Sequence, residues 1–311
     1  MPQPALVSIV MCTYNGQRFL DEQIESILKQ DYENFELIIV DDNSTDDTWN
    51  ILKKWQQKIG IIKLFRNEIN LGYNRNFEKA IQLATGNFIS LSDQDDIWLP
   101  EKVSKTLNSF TDENIILAHC KSVRLEDNQL KFHLAKLHHH FSGNDTRKLF
   151  FFNQVMGHDM VFRKELVTKI IPIPEGMSYD WWIAVVATCY GSIASVDEYL
   201  VHHRIHSQNN FFSKNAASKK RELDLEDTLQ LFTAIPALTG GKKAFLHSFL
   251  QLLSYHNTRE KQSFDYKLFL FLYKNRKVFF GHKRRFLPEL SYLKNAIKYA
   301  KLNYRGKGMS L

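Results

Sequence analysis

The stretch NFISLSDQDDIWLP, residues 87–100, runs from an apolar segment straight into three carboxylates, Asp93, Asp95 and Asp96. Its first part, NFISLSD, reads as a buried strand. Like charges this close repel and raise one another's pKa, so a cationic partner is expected among them. Three further strand patterns lie upstream. LVSIVMCTY (6–14) is a continuous apolar run with β-branched residues, as in a strand buried on both faces. FELIIVDD (35–42) and IIKLFRN (61–67) are two more. Helical patterns separate them. Phe19 to Gln30 carries a stripe of Phe19, Leu20, Ile24, Ile27 and Leu28. Ser44–Thr45–Asp46 caps a helix running to about Lys58, and Asn74 or Asn76 opens another that Thr85–Gly86 stops after Ala84. Strands alternating with helices predict an α/β fold: a mostly parallel central sheet flanked by helices, with right-handed crossovers.

Composition narrows the class. Of 311 residues, 44% are apolar, ample for a packed core, and 24% are charged, too ordinary for wholesale disorder. No run of about 18 uncharged apolar residues exists, and no basic-then-apolar leader precedes the first strand, so a cytoplasmic protein is expected. Cys12, Cys120 and Cys189 lie far apart in apolar contexts, as buried reduced thiols do. The net charge of +7 is uneven: Leu272 to Lys307 holds eleven Lys/Arg against one acid, Glu289, about +10, which leaves the remainder near −3. A basic tail on a near-neutral body predicts an anionic partner for the tail: a membrane surface, nucleic acid or another subunit. No recognition motif for nucleic acid accompanies the charge, so that partner is not expected.

Polar residues gather where the strands end: Thr13–Asn15, Asp41–Ser44, Asn67–Asn76 and Asp93–Asp96. Open α/β sheets bind ligands outside the carboxyl ends of their strands, so four polar ends together predict a nucleotide-type site. Each alone is also what a capped turn looks like. The chain has no GxxxxGK[ST] and no GxGxxG after the first strand. Phosphates must be held differently, and a divalent cation bridging carboxylates and phosphate oxygens is the direct route.

At this point the chain resembles the family 2 glycosyltransferases, which have the A-type nucleotide-diphospho-sugar transferase fold. The matching segments are TYNGQRFLDEQIESILKQ (13–30), IIVDDNSTDDT (38–48), NEINLGYNRNFEKAIQLATGNFISLSDQDDIW (67–98), YDWW (179–182) and HHRIHSQN (202–209). SDQDDIW preceded by NLGYNRNF looks most like bacterial polysaccharide enzymes of a rhamnosyltransferase-like subgroup. The resemblance implies an inverting transfer from a dTDP- or UDP-linked sugar to a hydroxyl of a growing cell-surface or glycoprotein glycan, assisted by Mn²⁺ or Mg²⁺. It implies a catalytic domain over residues 1–212, with a nucleotide half to about 98 and an acceptor half over 99–212. It also implies roles. Thr13, Tyr14 and Asn15 would sit beside the base, Tyr14 offering a stacking face. Asp41, with Asp42 alongside, would bind the base edge. Asn70 and Gly72 would shape the nucleoside loop, and Arg75 or Asn76 would contact base or ribose. Asp93 would reach the ribose or donor sugar beside Gln94, and Asp95 would ligate the metal. His206, in an Arg-x-His pattern with Arg204, would touch the metal or diphosphate. Asp180 matches the catalytic base. Asp96, Trp98, Gly157, His158, Asp159, Trp181 and Trp182 would border the acceptor and sugar pocket, with Asp159 a rival base.

Plainer uses compete: Asp180 could merely cap the helix starting at Trp181, and the tryptophans could be core. HLAKLHHH (133–140) reads as a loop rather than a metal cluster. Lys121 and His203 depart from the expected acid and tyrosine, which bears on sugar choice. Residues 213–311 form an all-helical, basic, aromatic-rich extension beyond the resemblance. Its stripe of Leu287, Leu290, Leu293 and Ile297, with Lys294, Lys298 and Lys301 opposite, suits either an anionic membrane surface or a homo-oligomer contact. Two rivals remain: a sugar nucleotidyltransferase, whose glycine-rich basic loop TYNGQR lacks, and a non-catalytic sugar-binding or assembly homologue, against which intact Asp95, Asp180 and His206 argue.

Overall fold

Strand β1 (Val7–Thr13) is buried along nearly its whole length, because layers cover both faces of the sheet. It pairs in parallel with β2 (Phe35–Asp41) on one side and β4 (Phe88–Ser92) on the other, and β2 pairs in parallel with β3 (Ile62–Arg66). A computed structural model describes this architecture over residues 4–132, 140–206, 223–258, 264–282 and 285–301. The order β3-β2-β1-β4 reverses between β1 and β4. The carboxyl ends of those two strands therefore open a crevice at a topological switch point.

Helices α1 (Leu20–Leu28) and α2 (Thr48–Lys58) cover one face, burying Leu20, Ile24, Ile27 and Leu52 against Val7, Ile9, Leu37 and Ile39. Helix α3 (Tyr73–Gln82) covers the other with Phe77, Ala80 and Ile81. Two expected starts shift. The Asp46 carboxylate accepts from Thr48 N–H, so α2 begins later than Ser44 would set it. Gly72, at φ 81°, opens α3, which leaves Asn74 and Asn76 inside the helix. A positive φ suits glycine because it lacks a Cβ.

The second half mixes directions. Strand β5 (Ile97–Trp98) is followed by α4 (Lys102–Asn108), β6 (Ile115–Glu126) and β7 (Gln129–Leu130). Then come β8 (Met160–Arg163), α5 (Val167–Ile170), α6 (Tyr179–Tyr190) and β9 (Ser192–Arg204). β8 inserts antiparallel between β4 and β6, β6 runs parallel to β9, and β9 pairs antiparallel with β5. The first four strands are thus wholly parallel, whereas the second half joins one parallel pair, β6 with β9, to antiparallel ones. The return of β9 beside β5 delivers His203 and Arg204 to the acidic loop after β4.

Among the described residues five helices follow: α7 (Leu225–Phe232), α8 (Gly240–Thr258), α9 (Tyr266–Lys274), α10 (Arg276–Phe280) and α11 (Pro288–Tyr299). They share one core with the body. Phe150, Phe151 and Phe152 are buried among Phe232, Phe249, Phe279, Phe280 and Tyr299. Phe151 meets Phe249, Phe279 and Tyr299 edge-on, a favoured aromatic geometry. Each such side chain contributes about 1.5–3 kcal/mol by burial. Among the described residues no helix is long and apolar enough to cross a membrane. The expected boundary at 212–213, His133, His138 and His139, and residues 207–209 of the last matching segment lie outside the described residues.

Candidate active site

The three carboxylates after β4 are chemically identical yet differently placed. The Asp93 side chain is 33% exposed, Asp95 12% and Asp96 0%. Pairing of β5 with β9 draws Asp96 inward, where His203 Nδ1 lies 3.0 Å from its Oδ1 and Arg204 N–H donates to the same oxygen at 3.1 Å. Among the described residues its Oδ2 has no hydrogen-bond partner, and it faces His158 Nδ1 at 3.8 Å.

His158 sits at the centre of this buried charge. Its Nδ1 is 3.3 Å from Asp93 Oδ2, its Nε2 is 3.2 Å from Ser122 Oγ, and its ring stacks on His203 at 4.5 Å. Burial works against a charged ring, but Asp159, Asp96 and Asp93 outweigh it and push His158 up to about 10. Burial likewise opposes ionisation of Asp96, yet His203 and His158 hold its pKa below the usual carboxylate range. Beneath lies Lys102, fully buried, its ammonium 3.3 Å from the centroid of the Trp98 ring and donating to Ser90 Oγ at 3.2 Å. Burial brings Lys102 down to about 8.

Asp95 looks outward to a different histidine: its Oδ2 lies 2.8 Å from His206 Nε2. Burial pushes the Asp95 carboxyl up, and the hydrogen bond to His206 opposes that. Arg204 Nε donates to the Asp95 carbonyl at 3.0 Å, its guanidinium pairs with Glu22, and Phe19 packs on both Arg204 and His206 at 4.7 Å. Two donor sets therefore suit a divalent cation: Asp95 with His206, and the mutually close trio Asp96, His158 and His203. Carboxylates suit Mg²⁺ and Mn²⁺, whereas imidazole suits transition ions, so a carboxylate beside an imidazole fits Mn²⁺ better than Mg²⁺. The first pair is partly accessible, whereas Asp96 is sealed, so only the first can share an ion with a phosphate oxygen from outside.

Around the crevice, β1 and β2 end in a tight lattice. Asp41 is fully buried; it accepts from the hydroxyls of Thr13 and Ser44 and from Ser44 N–H, and pairs with Arg66. Asp42 accepts from Leu71 N–H, Gly72 N–H and Asn67, and Asn70 donates to its carbonyl. Both carboxylates accept from protein donors, and those of Asp42 hold the loop before α3 against the end of β2. Asn76 donates to Val40 O and accepts from Asn67 inside the sheet edge. Tyr14 and Arg75 remain accessible, Arg75 pairing with Glu78. Asn15 and Asn43 take left-handed turns with φ of 48° and 60°, which asparagine tolerates better than most residues. Gln94 accepts from Tyr14 N–H at 2.9 Å and donates to Tyr14 O at 3.0 Å, tying this shelf to the acidic loop.

Asp180 lies in the first turn of α6, which follows a cis Ile171–Pro172 bend. Its Oδ1 accepts from Ser178 Oγ and from Trp181 N–H. Burial raises its pKa, these two donors oppose, and Asp93 is near enough to add to the rise. Trp181 and Trp182 are buried in the core: their indole N–H groups donate to Leu149 O and Ile170 O, and their rings pack on Phe232. Trp98 is core as well, beneath Lys102. Asp96, Gly157, His158 and Asp159 are buried, and Asp159 accepts from the Ser122 hydroxyl. Glu22, Phe19, Ser122 and Lys102 complete the site and went unread, because only the return of β8 and β9 and the packing of α1 and α4 bring them there.

A Rossmann-like half-sheet whose switch point carries a graded acidic loop, a carboxylate–histidine pair and a second buried acid defines a glycosyltransferase of the A-type fold. Residues 8–171 match the Glycosyl transferase family 2 domain, and the chain belongs to that family. An uncharacterized glycosyltransferase, MJ1057, of Methanocaldococcus jannaschii is 32% identical over 219 residues, 67% of this chain and 74% of that protein. The UDP-Glc:alpha-D-GlcNAc-diphosphoundecaprenol beta-1,3-glucosyltransferase WfaP of Escherichia coli is 35% identical over 114 residues, 37% of this chain and 45% of that protein. In fold, the chain is similar to S. aureus TarS 1-349, solved in complex with UDP-GlcNAc, with a TM-score of 0.62, 17% identity and coverage of 88% of this chain and 81% of that one.

Proposed function

We propose that this glycosyltransferase moves a sugar from a dTDP- or UDP-linked donor to a hydroxyl of a diphosphate-linked glycan acceptor, with inversion, in cell-surface polysaccharide synthesis. The observation that carries the reading is the partly open Asp95–His206 pair at the switch point, with Asp93 more exposed beside it. The base and ribose would lie against Tyr14 and Arg75, on the shelf built by Thr13, Asn15, Asp41, Asp42, Asn70 and Gly72. Asp95 and His206 would hold Mn²⁺ or Mg²⁺. Such an ion, when bound, neutralises charge developing on the departing diphosphate.

Asp180 accepts the acceptor's hydroxyl proton as its oxygen attacks the anomeric carbon from the face opposite the diphosphate. The C–O bond to phosphate breaks as the new glycosidic bond forms. The leaving group is already activated, so the protein needs one base and no nucleophile, unlike a retaining glycosidase. Asp93 orients the donor sugar or ribose, steadied by His158. A diphosphate-linked acceptor is supported by the similarity to WfaP, whose name states that acceptor class.

The helical region supports peripheral contact with an anionic membrane on the inner face. Asp265 N–H donates to Ala300 O and Arg276 pairs with Glu289, so α9 and α11 run antiparallel. They expose Tyr266, Leu270, Phe286, Leu287 and Leu290, with Phe286 98% exposed. Lys267, Lys274, Lys294 and Lys298 accompany them. Exposed apolar side chains among lysines complement an anionic interface.

The test is nucleotide release from a panel of UDP-, dTDP- and GDP-sugars with Mn²⁺, offered diphosphate-linked and protein-linked glycan acceptors. Turnover of one donor supports the reading; no turnover with any pair overturns it in favour of a binding module.

A further inference from the structure

A cavity of about 170 Å³ lies where the helical region meets the acceptor half, lined by His140, Lys148, Gln154, Lys277, Gly281 and His282 among others. No carboxylate lines it. Lys148 and Lys277 come from opposite sides of the junction, and among the described residues neither has an acid within ion-pair distance. The acids closest in sequence are engaged elsewhere: Asp145 is held by two nitrogens of Arg147, and Glu289 by Arg276. A Cβ at Gly281 would overlap the Lys277 carbonyl, so the turn into the cavity keeps its backbone close there. The chemistry is that of a small, multiply charged anion: two lysine ammoniums, two imidazoles and an amide, with no competing negative charge.

Position narrows the anion further. Gln154 lies four residues before His158, which contacts Asp93. On the other side, His282 lies four residues before Phe286, the most exposed apolar side chain of the proposed membrane face. By chain connection the cavity thus joins the segment that leads to His158 with the one that leads to Phe286. Resting on the transferase reading above, we infer that this pocket is a subsite for the diphosphate of a lipid-linked acceptor, holding it at headgroup level while its sugar reaches Asp180. The donor's own diphosphate is served by Asp95 and His206, so the chain carries two separate diphosphate-recognising places.

The experiment measures binding of decyl diphosphate to the full-length protein in EDTA, with decyl maltoside as the neutral control. Wild type should bind the diphosphate and not the maltoside. Lys148→Gln/Lys277→Gln, two exposed positions outside the catalytic machinery, should weaken diphosphate binding on the order of tenfold or more. Asp95→Ala should leave it unchanged. The inference is overturned if the double variant binds normally, if Asp95→Ala weakens binding as much, or if inorganic phosphate displaces the probe equally well. Phosphatidylglycerol vesicles separate the sources: their binding should survive the double substitution, and selective loss of vesicle binding would assign the lysines to headgroups instead. The readout needs no turnover, so its failure is distinct from failure of the donor panel.

Discussion

Asp95 Oδ2 and His206 Nε2 stand 2.8 Å apart although 111 residues separate them in the chain. The sheet closes that interval: β4 delivers the carboxylate, and β9, returning beside β5, delivers the imidazole. If this pair holds the cation, Asp95→Ala or His206→Ala should weaken Mn²⁺-dependent binding of the donor by about tenfold or more. Calorimetry with and without Mn²⁺ checks this, and unchanged affinity in both variants would remove the pair from that role.

Asp180→Asn should keep donor binding and lower transfer by about 10²–10⁴-fold. Burial raises the Asp180 carboxyl, with Ser178 and Trp181 N–H opposing. A base works only when ionised, so activity should be present above this raised pKa and fall as pH drops through it. The acid limb of kcat should accordingly lie above the ordinary carboxylate range and vanish in the asparagine variant. Near-normal turnover of that variant would reassign the base.

Gly157→Ala should act at a distance from any ligand. A Cβ there would overlap the Tyr179 hydroxyl and ring edge, and Tyr179 is buried against Phe77. The clash would push the start of α6, and Asp180 with it. Expected is a kcat loss of about tenfold or more with donor affinity little changed; a normal kcat would show that the start of α6 tolerates the shift.

Glu36 tests the frame rather than the chemistry. Burial alone would raise its carboxyl, but Lys63, the Ser8 hydroxyl and the Thr85 N–H and hydroxyl bring it from 4.5 to about 2. A carboxylate depressed on folding stabilises fully above its unfolded pKa, and that contribution fades as pH falls from there through the folded value. Glu36→Gln should cost about 1–3 kcal/mol near neutral pH and flatten the fall in urea midpoint below pH 4.5. An unchanged pH dependence would mean that other groups carry it.

Phe286→Ser/Leu290→Ser should reduce flotation with phosphatidylglycerol vesicles on the order of tenfold, because each buried side chain of this size is worth about 1.5–3 kcal/mol. Undiminished flotation, or concentration-dependent dimers lost in the variant, would give this face to a second copy of the chain instead.

The first four strands were legible because strands buried on both faces must be continuous apolar runs, and VSIVMCT and FELIIVD are such runs. The second half was not. β6 shifts register three times against β9, and β8 pairs antiparallel on both sides, neither of which leaves a local pattern. Residue type located the acidic loop but not its grading, since Asp93, Asp95 and Asp96 differ in what the segment before β8 and the end of β9 bring to them. The burial of Trp181 and Trp182 was not legible either: their carbonyl partners, Leu149 and Ile170, lie in segments with no polar signal.

Phe150, Phe151 and Phe152 leave the acceptor half and finish inside the helices that follow it. Those helices therefore cannot be cut away or exchanged as a cassette without baring three aromatic rings to water. A redesign of that region has to alter its outward-facing side chains one at a time, while the hydrophobic joint beneath stays intact.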